Sequence, residues 1–422
     1  STANNNTAVG YNCLDANTTG HSNVSVGAFS MGANTTGVQN TVLGESALGN
    51  NTTASNNTAI GKNALVQNTT ASENTAVGAF SLDANNTGTP NTAIGYNSLT
   101  SNTTGGSNTA CGKSALQNST TADHNTAVGN NALLANTTGH SNVAVGSLAL
   151  DISTTANNNT AVGRSALSAA TTGSNNVAVG SLALDANTTG QYNFAVGYNA
   201  LGANTTGSVN VAIANAMQTN TTGESNVAIG SNALDDNTSG SQNVAVGRQA
   251  LGDNITADNN TAVGHNALLK NTTGAQQVAV GGLALDANTT GNYNQAFGYG
   301  ALTSNTTANY NSAFGYFALQ NNTTGTFNTA LGRSALSGNT TASNNTAVGE
   351  VALFSNTTGS SNVAVGTSVL DANTTGSGNV AVGRDSLGGN TTAGSNTAVG
   401  HDALKTNTTG SRNAAFGAYA LS

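Results

Sequence analysis

The residues able to do chemistry are few and scattered. In 422 residues there are 2 Cys, 5 His, 9 Lys and Arg, and 17 Asp and Glu. Cys13 and Cys111 stand six repeats apart, about 29 Å at the ~4.8 Å spacing of stacked strands. That is far beyond disulfide reach. Both replace small or apolar residues and read as buried free thiols. His124 and His140 fall on adjacent repeats with no third ligand beside them, so no metal set forms. Aspartates recur at one repeat position but rarely in adjacent repeats, which gives no calcium ladder. No nucleophile–base–acid set and no phosphate-cradling loop stands out, so the chain reads as non-enzymatic, with no metal and no cofactor.

Two other patterns carry more. Asn-Thr-Thr sequences such as Asn17-Thr18-Thr19 fit the glycosylation acceptor pattern. A turn and ladder closed by local Asn and Thr bonds account for them better. The aromatic residues cluster between 293 and 327. Tyr293, Tyr310 and Phe327 repeat at one position, and Tyr299 and Tyr316 at another, with Phe317 beside them. Stacked exposed rings suit a host-surface glycan or a receptor protein. The alternative is that they stack on and protect one another.

What must position these residues is a 17-residue repeat, about 25 copies long, phased on Gly10, Gly27, Gly44 and onward to Gly417. Its consensus is N-[TV]-A-[VIF]-G-x-x-A-L-x-x-N-T-T-[GA]-x-x. Columns are numbered here from the leading Asn, so Asn6 is column 1 and Gly10 is column 5. A short period held this long signals an all-β parallel β-solenoid whose coils stack on their neighbours. Aromatics at 4%, charged residues at 6% and 52 glycines leave no material for an ordinary globular core. Disorder is the poorer reading, because net charge is only −8 and the apolar residues recur at fixed intervals. The weak acidity provides no footprint for nucleic acid. No apolar run is long enough to span a membrane.

N-V-A-V-G reads as a short strand, with columns 2 and 4 pointing into the coil and columns 3 and 5 outward. N-T-T-G reads as the turn. Column 9 is Leu, replaced by Met31 and Met217. The Asn residues of columns 1 and 12 can stack as amide ladders; Gln277 departs from the first, and Ser119, Ser153 and Ala170 from the second. Where column 15 is Ala, as at Ala54 or Ala257, the next column 2 is Thr or Ser, which points to two turn geometries. Residues 1–422 read as one continuous solenoid with one irregular coil at 211–226. There Ala214 occupies the glycine column, one residue is missing, and a local bend or tightened turn is expected.

Every charged residue falls in columns 6, 7, 10, 11, 16 or 17. The remaining eleven columns are candidates for burial or interface. With the Ala/Gly stripe of columns 3 and 5 outward, an uncharged strip on the order of 1,000 Å² runs along a rod about 120 Å long. That matches one partner's share of a specific interface. Side-by-side self-association follows, a trimer favoured. Neither end shows a polar cap, so the chain is expected to be a segment of a longer fibre or to have partners at its ends.

Asn142-Val143-Ala144-Val145-Gly146 and its equivalents in every coil resemble the head repeats of trimeric autotransporter adhesins and related bacteriophage tail-fibre β-solenoids. The resemblance implies left-handed β-roll coils, three chains packed into a rod, and a surface presented to a host. The family coil is usually shorter and lacks the N-T-T insertion, and no coiled-coil stalk or membrane anchor is present. The resulting expectation is an extracellular structural fibre on a cell or virion surface. The competing expectation is an ice-binding solenoid using the Thr and Asn columns. A polysaccharide-degrading solenoid would need clustered acids, which are absent.

Overall fold

A computed structural model describes residues 3–422. The chain is an all-β parallel β-solenoid of about 24 turns with a 17-residue repeat. Each coil contributes one strand of three or four residues, and the described residues contain no helix. Two compact units divide it, Ser1–Asn210 and Val211–Ser422. The first carries β1 (Thr7–Val9) to β12 (Phe194–Val196), and the second β13 (Val211–Ile213) to β25 (Ala414–Phe416). Within each unit every strand pairs in parallel with the next at an offset of one repeat, so like columns face each other. Thus Ala144 pairs with Ala127 on one side and Ala161 on the other.

The strand is phased opposite to expectation. Column 3 alanines such as Ala144 and Ala178 are fully buried, while Val143, Val24 and Leu43 of columns 2 and 4 stand exposed. The coil is too thin for two large inward residues. Its interior is filled by Leu of column 9, exemplified by Leu150 and Leu184, so the strand opposite can supply only a methyl group. Burying one Leu per coil contributes about 2 kcal/mol. The Ala/Gly stripe is therefore not an outward strip. The free apolar face is made by columns 2 and 4.

Those leucines sit in a left-handed backbone conformation, with φ of 51° at Leu150 and 52° at Leu184. Columns 7 and 17 share it, for example Asn131 and Asn158 at 56° and 58°. The hydrogen-bonded turns lie in G-x-x-A-L-x-x-N rather than in N-T-T-G. Ser30 N–H donates to the Gly27 carbonyl at 3.4 Å and Asn34 N–H to the Met31 carbonyl at 3.1 Å. In the full-length coils column 5 must be glycine for two reasons. Its φ is +140° at Gly146, and a Cβ there would overlap the carbonyl of Gly163.

N-T-T is a stitched segment. Thr35 N–H and its hydroxyl both donate to the Thr52 carbonyl, at 2.9 and 3.0 Å. The two Asn columns meet at column 15: the Ala54 carbonyl accepts from Asn40 Nδ2 at 3.0 Å and Asn51 Nδ2 at 3.1 Å. Between coils, the column 1 side-chain oxygen accepts the next coil's backbone N–H, as from Asn159 to Asn142 at 2.9 Å. The column 12 amide donates to the previous coil's oxygen, as from Asn254 to Asn237 at 2.9 Å.

The short coil keeps its strand and buries Met217 in the Leu column. The turn run is cut to a bend at Ala214–Asn215, with φ of 73° at Ala214. Gln218 Nε2 donates to Asp235 Oδ1 at 3.0 Å across the shortened corner.

Candidate functional site

The column 17 rings form a continuous stack in the second unit. Tyr293 and Tyr310 have centroids 4.9 Å apart and planes 2° apart; Tyr310 and Phe327 are 5.0 Å and 5° apart. Rings in contact are ~3.5–4 Å thick, so a 4.9 Å spacing forces a lateral slide on the order of 3 Å. Each ring then covers only part of its neighbour's face, and all three stay about half exposed. Tyr299 and Tyr316 stack less closely at 5.8 Å. Phe317 packs edge-on to Tyr299 and tilted against Tyr316. Its half-buried ring lies over Gly300, where a Cβ would strike it and where φ is +64°.

The structure thus gathers the six expected rings into two groups and adds a third. Phe297 and Phe314, in column 4, stack at 4.7 Å on the outward strand face. Their part in the patch was hidden by the reversed strand phase. Beside them column 2 carries the polar residues Gln295, Ser312 and Thr329, after Val278 in the preceding coil. Columns 17 and 2 are two residues apart, so the Tyr293 row and the polar row lie within ~7 Å along the backbone. Columns 17, 1, 2 and 4 carry no charge here. Arg333, in column 6 of the coil after Tyr316, pairs with Glu350 one coil further on. The result is an uncharged surface of half-open rings bordering amide and hydroxyl groups.

The other candidates separate. Cys13 and Cys111 are free and only partly buried, which corrects the buried-thiol reading. Cys111 stands in column 4 and therefore faces outward, while Cys13 Sγ lies 3.1 Å from the Ser25 carbonyl. His140 pairs with the neighbouring Ser141 hydroxyl, and no group of acids, His and Cys fit for a metal occurs among the described residues. The N-T-T asparagines Asn34, Asn51 and Asn68 are fully buried with their amides bonded, so in the folded chain they are ladder residues rather than open acceptors. A pocket of about 130 Å³ is lined by Asp235, Asp236 and Asp253. Burial pushes the Asp235 and Asp253 carboxyls above the ordinary value, and neighbouring Asp236 adds to this.

No family model matches the chain, and no curated protein matches it significantly.

Proposed function

We propose that the chain is a non-catalytic structural segment of an extracellular fibre, the rod of a surface adhesin, filament or phage tail fibre. The observation that carries this reading is the outward strand face. Columns 2 and 4 line up Thr, Val and Ile without one charge and leave Val128, Val143 and Ile229 more than a third exposed to solvent. Over twelve strands at ~4.8 Å and a width near 10 Å, each unit offers roughly 600 Å², at the upper end of what a monomer leaves open. Self-association therefore uses columns 2 and 4, not the buried Ala column. The resemblance to trimeric adhesin heads supports three left-handed chains around a common axis. Sedimentation should yield a mass three times 41.3 kDa; a monomer at all concentrations removes the proposal.

The aromatic patch is the contact for a neutral host-surface glycan or a receptor. Half-open ring faces beside Gln295, Ser312 and Thr329 offer apolar stacking together with hydrogen bonds. Tyr293→Ala with Tyr310→Ala should abolish binding on a glycan array while leaving the circular dichroism unchanged. Undiminished binding discards the site.

Ice binding is the second reading, through column 2 rather than the N-T-T and Asn columns. The column 13 hydroxyls bond the next coil and the Asn columns are buried. Column 2 instead presents six consecutive threonines, Thr41, Thr58, Thr75, Thr92, Thr109 and Thr126, in register beside an apolar column. Clear thermal hysteresis from dilute monomer favours ice binding over the fibre.

A further inference from the structure

The column 12 ladder of the first unit has two faults that are alike on the side of the preceding coil; beyond them the next residue of the column is Asn136 in one case and Ala170 in the other. At Ser119 and Ser153 a hydroxyl replaces the carboxamide. In an intact coil that amide donates twice, as Asn51 does to Asn34 Oδ1 at 2.7 Å and to the Ala54 carbonyl at 3.1 Å. With serine in place both donations are lost. Asn102 Oδ1 and Ser119 Oγ are buried without a partner, and so are Asn136 Oδ1 and Ser153 Oγ. All four residues are 0% exposed. The column 15 carbonyls Ala122 and Ala156 still accept from Asn108 Nδ2 and Asn142 Nδ2, both at 2.8 Å, and each has a second lone pair.

We infer that each fault is a sealed binding site for one water molecule, which takes the place of the missing amide nitrogen. The water donates one hydrogen to the preceding Asn oxygen and one to the column 15 carbonyl, and accepts from the serine hydroxyl. Three bonds are the usual number for a buried water. Replacing an amide by a hydroxyl removes two heavy atoms, close to the roughly 30 Å³ that a water fills. A metal cation is the poorer occupant, because three neutral oxygens fall short of the six or more that a hard cation gathers. The same three groups meet at Ser119 and again at Ser153, two coils on.

Oxygen-17 magnetic relaxation dispersion counts long-lived internal waters and tests this on the whole chain. Ser119→Asn and Ser153→Asn restore the consensus and should fold. Ser119→Asn, whose new oxygen meets the Asn136 amide, should remove one long-lived water, and the double variant, in which the oxygen introduced at position 153 faces Ala170, at least one. A high-resolution crystal structure should show a solvent peak within hydrogen-bond distance of Asn102 Oδ1 and Ser119 Oγ, and another at Asn136 Oδ1 and Ser153 Oγ. An unchanged water count in the double variant overturns the inference. So does a crystal structure in which the Asn oxygens bond the serine hydroxyls directly, or in which the peaks refine as a cation.

Discussion

The two units run the same repeat with different defects. In the second, column 12 is Asn in every coil from Asn220 to Asn407, and bonds such as Asn305 Nδ2 to Asn288 Oδ1 at 2.9 Å continue throughout. In the first, the row breaks between Asn102 and Asn187, at Ser119, Ser153 and Ala170. Column 1 shows the reverse. It is Asn in every coil of the first unit, with Asn57 Nδ2 buried and unpaired, while in the second Gln277 is one methylene too long. Its Nε2 turns to Asn271 Oδ1 at 2.9 Å and its Oε1 is left buried and unpaired. No coil in either unit is faulted in both ladders. Within each unit, strand pairing and one Asn ladder hold each junction, so a single fault is tolerated.

Adding a fault to the intact row should have the largest effect. Asn305→Ala strips the donor from Asn288 Oδ1 and from the Ala308 carbonyl, and should cost about 3 kcal/mol, read as faster amide exchange in the adjoining coils. Ser119→Ala, where the row is already cut, should cost about 1 kcal/mol or less. Equal losses at the two positions would dissolve the contrast between the units. Repair should work in the other direction: Gln277→Asn should gain about 1–2 kcal/mol by pairing the Asn294 N–H again, seen as a higher urea midpoint for the second unit.

The smallest expected effect is common to both units. Burial holds the carboxyls of Asp83, Asp151, Asp185, Asp286 and Asp371 above the ordinary value of 3.8. A carboxyl raised in the folded state binds its proton more readily there than in the unfolded chain. Stability should therefore rise as pH falls through the folded values toward 3.8, opposite to ordinary acid denaturation. Thermal midpoints between pH 7 and pH 4 should climb, and Asp185→Asn should flatten the slope. A steady fall on acidification would contradict the assignment.

Much of this was legible because the chain is its own alignment. The period, the strand, both Asn ladders and their four departures can be read from columns. The strand's phase could not be taken from charge, since columns 1 to 5 are all uncharged. Variability held the clue: column 3 is nearly always Ala, whereas column 2 ranges over Thr, Val, Phe194 and Gln295. A position packed against Leu tolerates one size, and a free face tolerates many. The left-handed conformation at Leu left no mark in the sequence, because Leu has no preference for it. The rings of Phe297 and Phe314 escaped the expected site only because their column was assigned to the interior.

The proposed self-association needs columns 2 and 4 to face outward and make the contact between chains. Val179→Asp and Ala178→Asp, adjacent in one strand, test it together by circular dichroism and sedimentation. Val179→Asp should leave a folded chain that no longer associates, and Ala178→Asp should unfold its coils. A Val179→Asp chain that unfolds, beside an Ala178→Asp chain that stays folded and dissociates, would contradict it.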